Sequence, residues 1–179
     1  MLTGVRRSIG LRLSRFRFRH SQNPVLSFTR AFSEAHEVLV VMPLDRSQLL
    51  NSVLMIELLK KSFKEENLTF VTGENDQELR RMMPRSQFIN LFDSDITPLF
   101  LPRPVLLQKV QRKSYDLSLD LNLDFLLPSA YICKASNARV RIGIAREGAD
   151  VFFNFQMRPG TGVAVRDAYD RLAACLQQF

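Results

Sequence analysis

Residues 115–144, YDLSLDLNLDFLLPSAYICKASNARVRIGI, limit the folds open to this chain more than any other stretch. Residues 115–121 alternate Leu117, Leu119 and Leu121 with Asp116, Ser118 and Asp120, the period of two that marks a strand. Residues 126–135 then carry apolar side chains at helical spacing, and residues 140–144 (VRIGI) are a second β-rich run. Two strands joined by a helix within about forty residues must pair in parallel, through a right-handed crossover. Ligands of open parallel sheets sit beyond the carboxyl ends of the strands. Binding is therefore expected at residues 122–125 and 145–148.

The rest of the chain supplies layers for that unit. Residues 37–43 (EVLVVMP) are apolar on both faces, as a central parallel strand requires. A first loop at 44–48 leads to a helix over 49–63, whose last turn carries Lys60 and Lys61, where cations suit the helix dipole. Strands are expected at 68–72, 87–92 and 151–156, and helices at 77–83, 105–113 and 163–178. Residues 22–33 read as a linker containing Pro24, residues 93–104 as an irregular connection, and 159–162 (PGTG) as a turn. The expectation is an α/β fold over residues 34–179. It is a single doubly wound, Rossmann-like domain, with a mostly parallel sheet of about six strands in the order 3-2-1-4-5-6.

Charge divides the chain differently. Of its net +7, all the excess lies in residues 1–33, which hold Arg6, Arg7, Arg12, Arg15, Arg17, Arg19 and Arg30 and no acid. The remaining 18 basic residues balance 18 acidic ones, so the body offers no basic face and nucleic-acid binding by it is not expected. Residues 1–19 suit an amphipathic helix with Leu2, Val5, Ile9, Leu13 and Phe16 on one face and Leu11 and Phe18 off it. Such a basic arm reads as a contact for an anionic membrane surface, carried by Arg6, Arg7, Arg12, Arg15, Arg17 and Arg19. A solvated disordered tail or an organellar transit peptide are the other readings; a secretory signal lacks its apolar core here. No apolar run approaches the ~18–20 residues that span a bilayer. The two cysteines, Cys133 and Cys175, lie far from the two histidines, so neither a zinc site nor a disulfide framework is supported. Both read as small core residues of a reducing compartment.

No glycine-rich phosphate loop, nucleophile elbow or metal-spaced cluster is present, and no cofactor or metal is expected. The first loop, LDRSQ, has no glycine to let a phosphate approach the backbone. The carboxylates at strand ends are Asp45, Asp120 and Asp124. Asp120 and Asp124 could form a paired acid–base site, or Asp124 could cap the following helix while Asp120 sits solvated at the strand end. Asp45 is similarly placed and is a third catalytic candidate, or it could simply make a local ion pair with Arg46. Arg139 and Arg141 alternate on the fifth strand, either to meet an anionic sugar or phosphate, or to discourage edge pairing.

Three stretches, residues 38–63 (VLVVMPLDRSQLLNSVLMIELLKKSF), residues 68–75 (LTFVTGEN) and residues 115–144, resemble the N-terminal half of glycosyltransferase family 9, the ADP-heptose:lipopolysaccharide heptosyltransferases. The resemblance implies one half of a GT-B fold, with acceptor binding around Ser47, Gln48, Asn122 and Asp124. It also exposes departures. Family members carry Gly-Asp in the first loop, the aspartate serving as base; Ser47 and Gln48 stand at those positions, and an amide does not accept a proton near neutral pH, so the base is lost unless Asp45 substitutes from one turn away. Leu54 replaces a family proline, and the terminal helix falls where a linker to the donor domain would begin.

The reading preferred on these grounds is a non-catalytic acceptor-domain protein of cell-envelope, lipopolysaccharide-type glycan assembly. It would be cytoplasmic and peripheral on the inner membrane, with a glycan or glycolipid acceptor as ligand. One alternative makes it half of a split glycosyltransferase, a donor-domain protein supplying the nucleotide-sugar site; any activity would then be hexosyl or heptosyl transfer. Another makes it a nucleic-acid-binding protein using the basic arm.

Overall fold

The structure, a computed structural model, describes residues 2–21, 33–73, 76–158 and 162–178. The expected linker at 22–32 with Pro24, the end of the 68–75 stretch and the turn at 159–161 lie outside the described residues.

Six strands form one all-parallel sheet: β1 (Val38–Val41), β2 (Leu68–Thr72), β3 (Gln87–Asn90), β4 (Leu117–Asp120), β5 (Val140–Ile144) and β6 (Phe155–Met157). Their order is β3-β2-β1-β4-β5-β6, as expected. β1 is central, with Val40 opposite Phe70 on one side and Leu119 on the other. Helices cover both faces. The α2 (Arg46–Asn51), α3 (Val53–Ser62), α4 (Gln77–Met82) and α7 (Val165–Leu176) helices lie over a core containing Val38, Val40, Phe70, Leu119 and Ile142. The α5 (Pro104–Val110) and α6 (Leu127–Ala135) helices cover the opposite core of Leu39, Val41, Val71, Phe152 and Phe153. Alternating residues of one strand therefore enter different cores, and both faces are dry. Truncating a ring as buried as Phe152 would cost about 3–5 kcal/mol.

Two elements differ from the sequence expectation. The helix expected at 49–63 begins earlier and is broken. Asp45 accepts a hydrogen bond from Gln48 N at 3.0 Å and starts α2; the buried Ser52 hydroxyl donates to Leu49 O at 2.7 Å at the junction with α3. The strand expected at 151–156 keeps only its end. Gly148, at φ 83°, turns the chain into a 3-10 turn at Ala149–Val151, so Phe152 and Phe153 plug the core instead of extending a strand. Gly143 in β5 makes room for them, since a methyl there would lie 2.5 Å from the Phe153 ring. Cys133 is a core residue and Cys175 is partly buried; both are free thiols.

The arm yields the largest surprise. Residues 2–18 form one helix, α1, and it rests on the domain rather than trailing from it. Its contacts are made not by the expected apolar face but by the side that carries Leu11 and Phe18. Leu11 and Phe18 pack into the core beneath, the Phe18 ring lying 4.9 Å from that of Tyr131. Gly10 and Ser14 are buried between them, Ser14 Oγ donating to Gly10 O at 2.8 Å. At Gly10 the helix backbone comes so close that a methyl group would collide with the Leu99 carbonyl oxygen.

Gly10→Ala should therefore lift α1 without dismantling the sheet. Amides of α1 are expected to lose at least tenfold of their hydrogen-exchange protection while the urea midpoint of the core changes little. Equal loss of protection in β1 and β4 would contradict this division.

Candidate functional site

The parallel order brings the carboxyl ends of β1, β4 and β5 to one edge, where one side chain ties the loops together. Asn122, just past β4, is buried. Its Nδ2 donates to Asp120 Oδ1 at 2.7 Å and lies 3.3 Å from Ser129 Oγ, while its Oδ1 accepts from Leu44 N at 3.1 Å. The first loop is thus pinned to β4 through a side chain with no free polar atom left for a ligand.

Asp120 is only 4% exposed, the reverse of a solvated strand end. The misreading has a physical source: alternation of Leu with Asp or Ser suggests one wet face, whereas α6 covers that face. Burial raises the Asp120 carboxyl to about 7, against the opposing hydrogen bonds from Asn122. The nearby Cys133 thiol is pushed well up, by burial first and then by the Asp120 charge. Tyr169 of α7 seals the same corner, its hydroxyl donating to Leu121 O at 2.7 Å.

Gln48 makes the second tie. Its Oε1 accepts from Leu123 N at 2.9 Å and its Nε2 donates to Asp124 Oδ2 at 3.3 Å, so the amide bridges the loops after β1 and β4. Asp124 does not cap α6; Leu126 holds that position without a side-chain bond, and Asp124 is exposed. Asp45 is a helix cap rather than the partner of Arg46. The Ser47 hydroxyl, donating at 2.7 Å, and the Gln48 N–H lower its pKa below the usual value, which makes it a weaker base.

In front of these ties lies an open cleft of about 680 Å³, lined by Gly4, Arg7, Ser8 and Leu11 of α1, by Asp124, Phe125 and Leu126, and by Arg146 and Glu147. Arg7 reaches from α1, donating through Nη2 to Phe125 O at 2.6 Å, with its guanidinium 5.5 Å from the Phe125 ring centre. Arg146 Nη2 is 3.5 Å from Leu123 O. Two guanidinium groups, two carboxylates and a half-buried ring converge here. Of the expected ligand residues, only Asp124 lines the cleft; Gln48 braces Asp124 and Leu123 from behind it, Ser47 is spent on Asp45, and Asn122 is sealed beneath. Phe125 and Arg146 fall in the loops expected to bind. The placement of Arg7 depends on how α1 packs, which its own periodicity hides.

Arg139 and Arg141 lie elsewhere. Arg141 is buried, donating to Phe152 O at 2.8 Å and Ala138 O at 2.6 Å, and so holds the turn before β6 to β5. A second cleft, of about 440 Å³, runs along edge strand β3 between Arg80, Lys109, Arg112 and Lys113. Two of these cations are engaged locally, Lys113 in an ion pair with Glu37 and Arg80 in a hydrogen bond to Asn90 with its guanidinium over the Phe88 ring. Among the described residues, no three His, Cys, Asp or Glu side chains gather as a metal site would need.

Two substitutions probe these ties. In the unfolded chain Asp120 titrates near 3.8, and in the fold near 7. Between those values the native state alone holds the proton, so stability should fall as pH rises from about 4 to 7 and then level. Asp120→Asn should flatten that slope and raise stability at pH 8 by an amount on the order of 2–4 kcal/mol, read from urea titrations across pH. Gln48→Ala leaves Leu123 N–H without its acceptor and should cost about 1–3 kcal/mol in the same assay.

Compared by sequence, the chain matches no protein-family model and no curated protein. Compared by structure, it is similar to E. coli heptosyltransferase WaaC with ADP, at TM-score 0.59 and 17% identity over 80% of this chain and 47% of that one. The same enzyme with ADP-2-deoxy-2-fluoro heptose gives TM-score 0.60, 18% identity, and coverage of 80% and 49%. A glycosyl transferase of family 9 from Veillonella parvula DSM 2008 gives 0.59 and 16%, over 79% of this chain and 41% of that one. The chain spans less than half the length of these enzymes, and its six-stranded domain has the fold of that part of a family 9 glycosyltransferase.

Proposed function

We propose that this chain is a non-catalytic acceptor-domain protein, like glycosyltransferase family 9, which holds a glycan or glycolipid at the cytoplasmic face of the inner membrane during lipopolysaccharide-type envelope assembly. The cleft before β4 and β5 carries the reading. An aromatic ring beside paired arginines and carboxylates suits a sugar bearing phosphate or carboxylate groups, which guanidinium forks engage in two bonds at once. Its position at the strand ends of a glycosyltransferase-like fold agrees with that use.

The chemistry of transfer lacks its usual parts among the described residues. Gln48 accepts no proton, Asp45 is held ionised by its cap bonds, and Asp120 is sealed behind Asn122. No glycine-rich turn borders the first loop to receive a pyrophosphate.

The second reading, half of a split glycosyltransferase, draws on a different patch. Leu44 in the first loop, Leu50 in α2 and Val53 and Leu54 in α3 are each exposed, Leu50 at 60%, and would be covered if a donor domain closed over this side. The apolar face of α7, by contrast, is turned inward: Ala168, Tyr169, Leu172 and Leu176 are buried in this domain's own core.

Calorimetric titration separates these readings. A phosphorylated core oligosaccharide should bind saturably, and Arg146→Ala should weaken it at least tenfold, while ADP- and UDP-sugars give no saturable heat. Nucleotide-sugar binding or glycosyl product from the purified chain would overturn the non-catalytic assignment.

A further inference from the structure

The way α1 rests on the domain leaves its apolar stripe facing outward. Val5, Ile9, Leu13 and Phe16 are 56%, 43%, 47% and 65% exposed, four large hydrophobic side chains left open to solvent on one helix. At 3.6 residues per turn they share one face, opposite Gly10, Leu11, Ser14 and Phe18, which are spent on the domain. A surface helix of a globular domain ordinarily does the reverse.

The rim of the stripe tells what covers it. Arg6 and Arg17 border it on one side and Arg12 on the other by helical position, all exposed, and Arg19 lies 4.1 Å over the Phe16 ring. No acidic residue occurs in residues 1–33. An apolar strip flanked only by cations matches the boundary between acyl chains and anionic headgroups, where Phe and Leu enter the hydrocarbon and arginines stretch back to phosphate. A protein partner would have to bring both a matching apolar groove and an acidic border.

We infer that the outward face of α1, Val5, Ile9, Leu13 and Phe16 with Arg6 and Arg12, docks the protein flat on an anionic lipid surface. Among the described residues no helix is long and apolar enough to cross a membrane, so the contact is interfacial. The inference rests on the membrane location proposed above and deepens it by fixing an orientation. The other sides of the same helix, through Gly4, Arg7, Ser8 and Leu11, form a wall of the glycan cleft. Docking therefore sets the cleft mouth about one helix diameter, ~10 Å, from the headgroups, within reach of a lipid-borne sugar.

The test is sedimentation of the full chain with vesicles of phosphatidylcholine alone or with one quarter phosphatidylglycerol. Wild type should bind the anionic vesicles at least tenfold better than the neutral ones, and less at 0.5 M salt. Ile9→Asp with Phe16→Asp should abolish binding, and Arg6→Gln with Arg12→Gln should weaken it at least threefold. These side chains are exposed, so both variants should keep the wild-type melting temperature; a retained melting temperature with lost vesicle binding supports the inference. Undiminished binding by the Asp variant would overturn it, as would absence of wild-type binding. A wild-type dimer in solution that the Asp variant converts to monomer would also overturn it, identifying a second copy as the occupant. Oligosaccharide titration of the Asp variant keeps the two readings apart: vesicle binding lost with glycan binding intact separates the docking face from the cleft, and failure of both titrations in wild type sinks the functional reading as well.

Discussion

Asn122 is the constraint from which the functional edge takes its shape. A parallel sheet leaves its strand ends as loose loops unless something joins them, and here one buried amide holds the first loop to the last residue of β4. Gln48 repeats the device one layer outward. Both side chains sit where a ligand-binding reading of the sequence would place contacts with substrate. Their hydrogen bonds instead go to backbone and carboxylate, so rigidity is obtained from groups that could otherwise have served chemistry.

This arrangement bears on Asp120. A carboxyl group in a dry corner, beside a thiol and a phenol, is an unfavourable choice for stability near neutral pH. It supplies the acceptor that Asn122 needs, and the two form a unit. The neighbouring cleft is assembled from outside that unit, by loop residues and by a helix from the other end of the chain. Support and contact surface are thus divided between different residues.

The fold was legible because it rests on period and order. The apolar run of β1, the alternation in β4 and the helix between β4 and β5 each point to a parallel sheet, and the observed strand order follows. What periodicity conceals is which side of an element meets what. The alternation at 115–121 cannot tell a wet face from one under a helix, so Asp120 reads as solvated. The apolar stripe on α1 is legible from spacing, yet nothing local reveals that Gly10 and Ser14 are the contact side, because small residues carry no hydropathy signal and act by letting backbones approach. Arg7 was hidden for the same reason. Residues 151–153 look like a strand by composition, and only the left-handed turn at Gly148 sends them into the core.

The central place of β1 also shapes how the polypeptide must assemble as it leaves the ribosome. Its first neighbour, β2, emerges soon after it, but the other edge waits for β4, whose last residue is Asp120. At ribosomal speeds of about 5–20 residues per second, the most apolar strand of the sheet stands with one flank open for several seconds. During that interval the growing chain offers an unpaired β edge to any neighbouring nascent chain, the period in which a chaperone has most to protect.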